Sequence, residues 1–139
     1  MKTKRVLLPL LLAVGLTFAG VSIAADNPGD SVKPNFSHVI PNIPGKSLVA
    51  VEVSYPPGGA SSPHRHAHSA FIYAYVVSGH VLSQVNGEPA RTYNPGESFY
   101  EAPGAHHVIS RNASQTEPAK LLAVFVVDTN DVALTTNDK

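Results

Sequence analysis

The sequence predicts an all-β domain, an antiparallel sandwich or barrel of short strands. Three observations lead there. Beyond the first 25 residues, no segment repeats its apolar positions with a 3.6-residue period over three turns. Alternating or β-branched runs recur instead, as in residues 47–55 and 71–77. Between the runs stand Gly, Pro and Asn turn signals, and the chain shows no internal repeat.

The elements follow in order. Lys2, Lys4 and Arg5 make a positive start, residues 6–20 are almost wholly apolar, and Ser22-Ile23-Ala24 offers small residues where a signal peptidase reads. Residues 1–24 are therefore expected to be a signal peptide and the mature protein to be secreted or periplasmic. Gly15, Thr17, Gly20 and Ser22, with no charged flank after them, argue against a permanent anchor. No membrane contact is expected after cleavage.

Residues 25–46, with Pro28, Pro34, Pro41 and Pro44, are expected to form an extended arm carrying one short strand at 36–40. The barrel proper is expected at 47–128. Pro56-Pro57-Gly58-Gly59 breaks its first strand, and Ser78-Gly79 turns the next. Asn86-Gly87 predicts a tight type I′ hairpin, which needs positive φ at both residues. Asn94-Pro95-Gly96 and Ala102-Pro103-Gly104-Ala105 mark further turns on either side of a strand at 97–101. A strand at 106–111 leads to a polar loop at 112–118. The unbroken apolar run 121–127 predicts a strand buried on both faces, and 129–139 a loose tail.

Charge and cysteine usage limit the function. Of 10 Lys+Arg the signal holds Lys2, Lys4 and Arg5, and it holds none of the 10 Asp+Glu, so the mature charge is 7 − 10 = −3. A mildly acidic domain offers nucleic acid no electrostatic footprint. With no cysteine, an exported fold must rest on its core or on assembly, and any metal must be held by imidazole and carboxylate.

The 7 histidines supply the chemistry, and five of them fall in two groups. His64, His66 and His68 alternate, so on a strand they share one face and aim imidazoles into one volume. His106 and His107 follow the Pro103-Gly104 turn; being adjacent, only one can point inward. Tyr73, Tyr75 and Tyr100 are expected to pack in the barrel, His38 and His80 to be ordinary surface or core residues, and Glu97 to serve the turn at Gly96. Asn35-Phe36-Ser37 and Asn112-Ala113-Ser114 match the N-glycosylation pattern.

In these motifs the chain resembles a small single-domain cupin of the type-2, quercetin-dioxygenase-like kind. Pro57-Gly58-Gly59, His64-Arg65-His66 and the strand closing at Gly79 match the first motif; Gly96, Pro103-Gly104 and His106-His107 match the second. The resemblance spans about residues 48–127. It implies a cupin double-stranded β-helix, jelly-roll-like, frequently a homodimer, with one divalent transition metal (Fe, Mn, Ni, Cu or Zn) in its mouth. Counting forward from Gly58 selects His64 with His66 as ligands. Counting back from Gly79 selects His66 with His68. His64 with His66 is favoured, because Pro63-His64-Arg65-His66 follows the glycines as the motif expects.

One departure matters. Ile72 stands where the family carries a metal-binding Glu. Glu101 is the expected substitute: it shares a face with Phe99, and a carboxylate aimed into an apolar barrel is costly unless paired or coordinated. The expected metal set is His64, His66, Glu101 and His107, with His68 the alternative to His64. His106 is expected beside the site or at the surface. The resemblance implies an oxygenase- or isomerase-like enzyme, a dioxygenase being one form, acting on a small organic molecule. The alternative is a small-ligand-binding or structural cupin.

Overall fold

Four X-Pro-Gly-X turns set the strand ends. Ile43-Pro44-Gly45-Lys46, Pro56-Pro57-Gly58-Gly59, Asn94-Pro95-Gly96-Glu97 and Ala102-Pro103-Gly104-Ala105 each close with a backbone hydrogen bond of 2.8–3.2 Å from the fourth amide to the first carbonyl. Their glycines hold φ between 70° and 88°, as a type II turn with Pro in its second position requires. Glu97 serves the third turn, as expected: its carboxylate accepts from the Asn94 amide at 2.7 Å and from Arg91 at 2.7 Å.

The computed structural model describes residues 29–131 and 133–139; the expected signal peptide and residues 25–28 lie outside them. Ten strands follow in chain order: β1 (Ser31–Val39), β2 (Lys46–Tyr55), β3 (His64–His66), β4 (Phe71–Ser78), β5 (Val81–Val85), β6 (Arg91–Tyr93), β7 (Ser98–Glu101), β8 (His106–Asn112), β9 (Ala119–Asp128) and β10 (Thr135–Asn137). Two five-stranded antiparallel sheets result, ordered β1-β2-β9-β4-β7 and β10-β3-β8-β5-β6. Among the described residues there is no helix.

The core lies between the sheets. Val51, Val53 and Tyr55 of β2, Ile72, Ala74 and Val76 of β4, and Leu121, Ala123, Phe125 and Val127 of β9 supply it from the first sheet, with Val81 of β5 facing them. Burying the Val, Ile, Leu and Phe side chains among them contributes about 1.5–3 kcal/mol each. Gly79 closes the end of β4 where nothing larger fits: a Cβ there would collide with the Pro118 carbonyl oxygen.

Several expectations give way. The run 121–127 is not buried on both faces; odd positions of β9 face the core and even positions lie half-covered outside. Asn86-Gly87 does not form a type I′ turn, since only Asn86 has positive φ (53°). Asn86 instead ties to β8: its amide donates to the His106 carbonyl at 2.7 Å, and its side-chain oxygen accepts the His106 amide at 2.9 Å. β6 therefore resumes only at Arg91. The arm carries a nine-residue strand, β1, paired to β2 of its own chain. The tail is not loose throughout, because β10 adds an edge to β3. Tyr73 and Tyr100 do not pack in the barrel: inward Ile72 and Ala74 turn Tyr73 outward, and both tyrosines are exposed. Asn112 is 1% exposed, its amide nitrogen donating to the Pro56 and Glu117 carbonyls, so the second glycosylation motif is sealed by folding.

Candidate metal centre

β3 is only three residues long, yet it lies between two partners. His64 pairs with His107 of β8 and with Asn137 of β10; His66 pairs with Thr135. Strand alternation turns His64 and His66 inward and Arg65 outward. The alternation stops at His66, because residues 67–70 form a turn closed by the Ala70 amide on the Ala67 carbonyl at 3.0 Å. His68 is thereby carried out of the site, its Nδ1 against Gly104. Of the two sets left open by motif spacing, the structure brings together His64 and His66.

β8 contributes His107. His107 turns inward and is 3% exposed, while His106 faces the other way and holds Asp138 at 2.7 Å from its Nε2. One nitrogen each from His64, His66 and His107 lie within 4.8 Å of one another. The His64 and His66 ring centres are 4.9 Å apart, and those of His64 and His107 5.3 Å.

Glu101, at the end of β7, is 3% exposed and points into the same volume. Its Oε2 lies 2.8 Å from His66 Nε2 and 3.2 Å from His107 Nδ1. It stands beside His66 and His107 and outside the mutual 4.8 Å set of the three imidazoles. Burial alone would raise its pKa, but the two histidines outweigh burial and hold it at about 2. Arg91 pairs with Glu97 and not with Glu101.

Two contacts orient the rings. His64 Nδ1 donates to the Ser62 carbonyl at 2.8 Å, which leaves Nε2 with a lone pair. Burial also lowers the His64 pKa, keeping the ring neutral as a ligand must be. His107 Nε2 meets Ser83 Oγ at 2.9 Å. His66 is different: neither ring nitrogen, nor Glu101 Oε2, makes an aligned hydrogen bond, close as the two residues are. Buried polar atoms without partners cost about 1–3 kcal/mol each, so the cluster is built for something more than its own contacts.

The three imidazoles could hold a metal ion, and Glu101 Oε2 stands from His66 and His107 at about the 3 Å that separates adjacent ligands on an ion bound at about 2.1 Å. Imidazole and carboxylate suit Fe, Mn, Ni, Cu or Zn.

The histidines open onto a cavity of about 360 Å³ between the sheets. Val51, Val53, Leu121, Ala123 and Phe125 form its apolar wall, and Leu134 and Thr135 of the C-terminal segment its rim. No Lys or Arg among the described residues lines it. Tyr55, Ser61, Ser110 and Asp30 line it as well. Burial pushes the Tyr55 pKa up, so its hydroxyl keeps its proton. Nothing in the chain pattern marks Ser83, Tyr55 or Ser110 in advance: each is an inward strand position like its apolar neighbours, and only the register shows what it faces.

A family model described as "Cupin domain" matches residues 51–125. No curated protein matches. Solved structures do. An uncharacterized conserved protein with a double-stranded β-helix domain from Klebsiella pneumoniae superposes with TM-score 0.63 at 17% identity, over 82% of this chain and 88% of that one. The TT1209 protein of Thermus thermophilus gives 0.57 at 24% identity, over 71% and 84%. Recombinant oxalate oxidase in complex with glycolate gives 0.58 at 23% identity, over 74% of this chain and 53% of that chain, about half its length. These likenesses show the fold.

Proposed function

The chain belongs to the cupin domain family, and on that premise we propose that it is an exported metalloenzyme, oxygenase- or isomerase-like, acting on a small organic molecule. The observation that carries this is the cluster of His64, His66 and His107 with Glu101 buried against it, facing an apolar cavity. An ion held by these four residues would supply a Lewis acid for a chelating substrate, or the redox partner that dioxygen chemistry needs. The chain's own residues do the rest. Ser62 fixes the His64 tautomer, Ser83 fixes the His107 ring, and the wall of Val51, Val53 and Leu121 keeps water from the reacting end of the substrate. Within this reading a quercetin-dioxygenase-like activity is the first to test. Export rests on the signal-peptide pattern of residues 1–24.

Oxygen uptake by the metal-loaded protein with catechols, flavonols and β-diketones tests the catalytic part. Substrate-dependent uptake, lost in His66→Ala, is the expected result. Tight binding of the same compounds without turnover would leave a ligand-binding cupin, the reading that Ile72 in the usual carboxylate position favours.

We also propose a homodimer through the outer face of the first sheet. One row of side chains crosses all five strands there: Phe36, Ala50, Val124, Tyr73 and Tyr100 are successive register partners. Phe36, Tyr73 and Tyr100 are exposed, and the row holds no charge. Ion pairs border it on both sides, Lys46–Asp128 at 2.6 Å and Lys120–Glu52 at 2.8 Å. A second copy turned by a two-fold axis along the row brings one pair over the other and opposes unlike charges. Light scattering should give twice the chain mass for the mature protein and a monomer for Tyr73→Glu. A monomeric mature protein would overturn this pairing.

A further inference from the structure

The cavity has a second polar pole that the metal does not need. Ser110 sits three residues along β8 from His107, about 10 Å of strand. Its hydroxyl meets Tyr55 Oη at 2.7 Å; Tyr55 Oη meets Ser61 Oγ at 3.1 Å; Ser61 Oγ meets the Asp30 carboxylate. Between the two poles the wall is apolar, with Val51, Val53 and Leu121 facing inward.

Filling every contact as a hydrogen bond sets the proton order in this chain from its outer end. A carboxylate only accepts, so Ser61 donates to Asp30. A serine hydroxyl has one proton, so Ser61 can only accept from Tyr55, and Tyr55 spends its single proton there. The 2.7 Å contact between Tyr55 and Ser110 is then Ser110 donating. Ser110 Oγ, which lines the cavity, keeps lone pairs and no proton. It asks a ligand for a donor.

We propose that Ser110 is a specificity-determining acceptor at the far end of an elongated site. The ligand is then a mainly apolar molecule with a chelating oxygen group at one end and a hydroxyl or N–H donor at the other. A small dicarboxylate is the wrong shape and charge: no Lys or Arg among the described residues lines the cavity to receive its second carboxylate. The chelating end rests on the function proposed above; the donor end does not.

Calorimetry on the metal-loaded protein with three probes tests it: 4-ethylcatechol, 4-(2-hydroxyethyl)catechol and 4-(2-methoxyethyl)catechol. The hydroxyl compound should bind about five- to tenfold more tightly than the ethyl compound, and the methoxy compound should gain nothing. Ser110→Ala should abolish the preference with metal content unchanged. Tyr55→Phe releases the Ser110 proton, so the methoxy compound should gain affinity there. Equal affinity for the ethyl and hydroxyl compounds on the wild-type protein would overturn the proposal, as would a preference that survives Ser110→Ala. Ethylbenzene, 2-phenylethanol and its methyl ether, followed by NMR titration on metal-free protein, repeat the comparison without the chelating end. A failure of the metal reading therefore leaves this test standing.

Discussion

Ile72 and Glu101 face each other across neighbouring strands. Ile72 of β4 is fully buried and is the register partner of Glu101 of β7, whose carboxylate enters the cluster of His64, His66 and His107. Glu101 thus sets a buried carboxylate one strand away from the position where the resemblance places one. If position in the cavity is what counts, the two residues are exchangeable. Glu101→Ile should lose its metal, and adding Ile72→Glu to it should recover a substantial part, read by metal content after dialysis. A double variant as empty as the single one would mean the exchange fails. Glu101→Gln keeps the shape and removes the charge, and should weaken metal retention by about 10- to 100-fold.

The end of β3 predicts which histidines matter. His64→Ala should strip the metal, because His64 offers the cluster an oriented Nε2. His68→Ala should leave metal content unchanged, because the turn after His66 carries that ring to Gly104. The reverse result would restore His66 with His68 as the pair.

The metal-free protein should weaken in acid, in two stages. The His64 pKa is lowered in the folded state, so its contribution is complete above 6.5 and falls away as pH drops through the lowered value. The Glu101 pKa is also lowered, to about 2, so its contribution is complete above 4.5 and is lost as pH falls toward 2. At full loss the second stage is worth about 3 kcal/mol. Urea unfolding of chelator-treated protein at pH 7, 5 and 3 measures both stages. Glu101→Gln should flatten the lower one and leave the upper one in place.

Much of this site was legible before the fold. Proline and glycine restrict the backbone locally, so the turns at Gly58, Gly96 and Gly104 were readable from the chain alone. Alternation on a strand put Glu101 on the face of Phe99, and the resemblance implied that this face turns inward. What stayed hidden depends on contacts distant in sequence. Asn86-Gly87 has the composition of a tight hairpin, but pairing with His106 decides its shape. His68 fits the alternation of His64 and His66, but the strand ends before it. The apolar even positions of β9 looked like a second buried face, and the sheet leaves them half-covered on its outer surface. Ser110 and Tyr55 come together only because β2 and β8 lie on opposite sheets, 55 residues apart in the chain.

Whether one transition ion sits on His64, His66, His107 and Glu101 is read by metal analysis of the mature protein, as purified and after loading with Fe(II), Mn(II) or Zn(II). About one equivalent per chain, reduced to background in His66→Ala, is the predicted result. No metal retained under any of these conditions, or equal retention by His66→Ala, would contradict it.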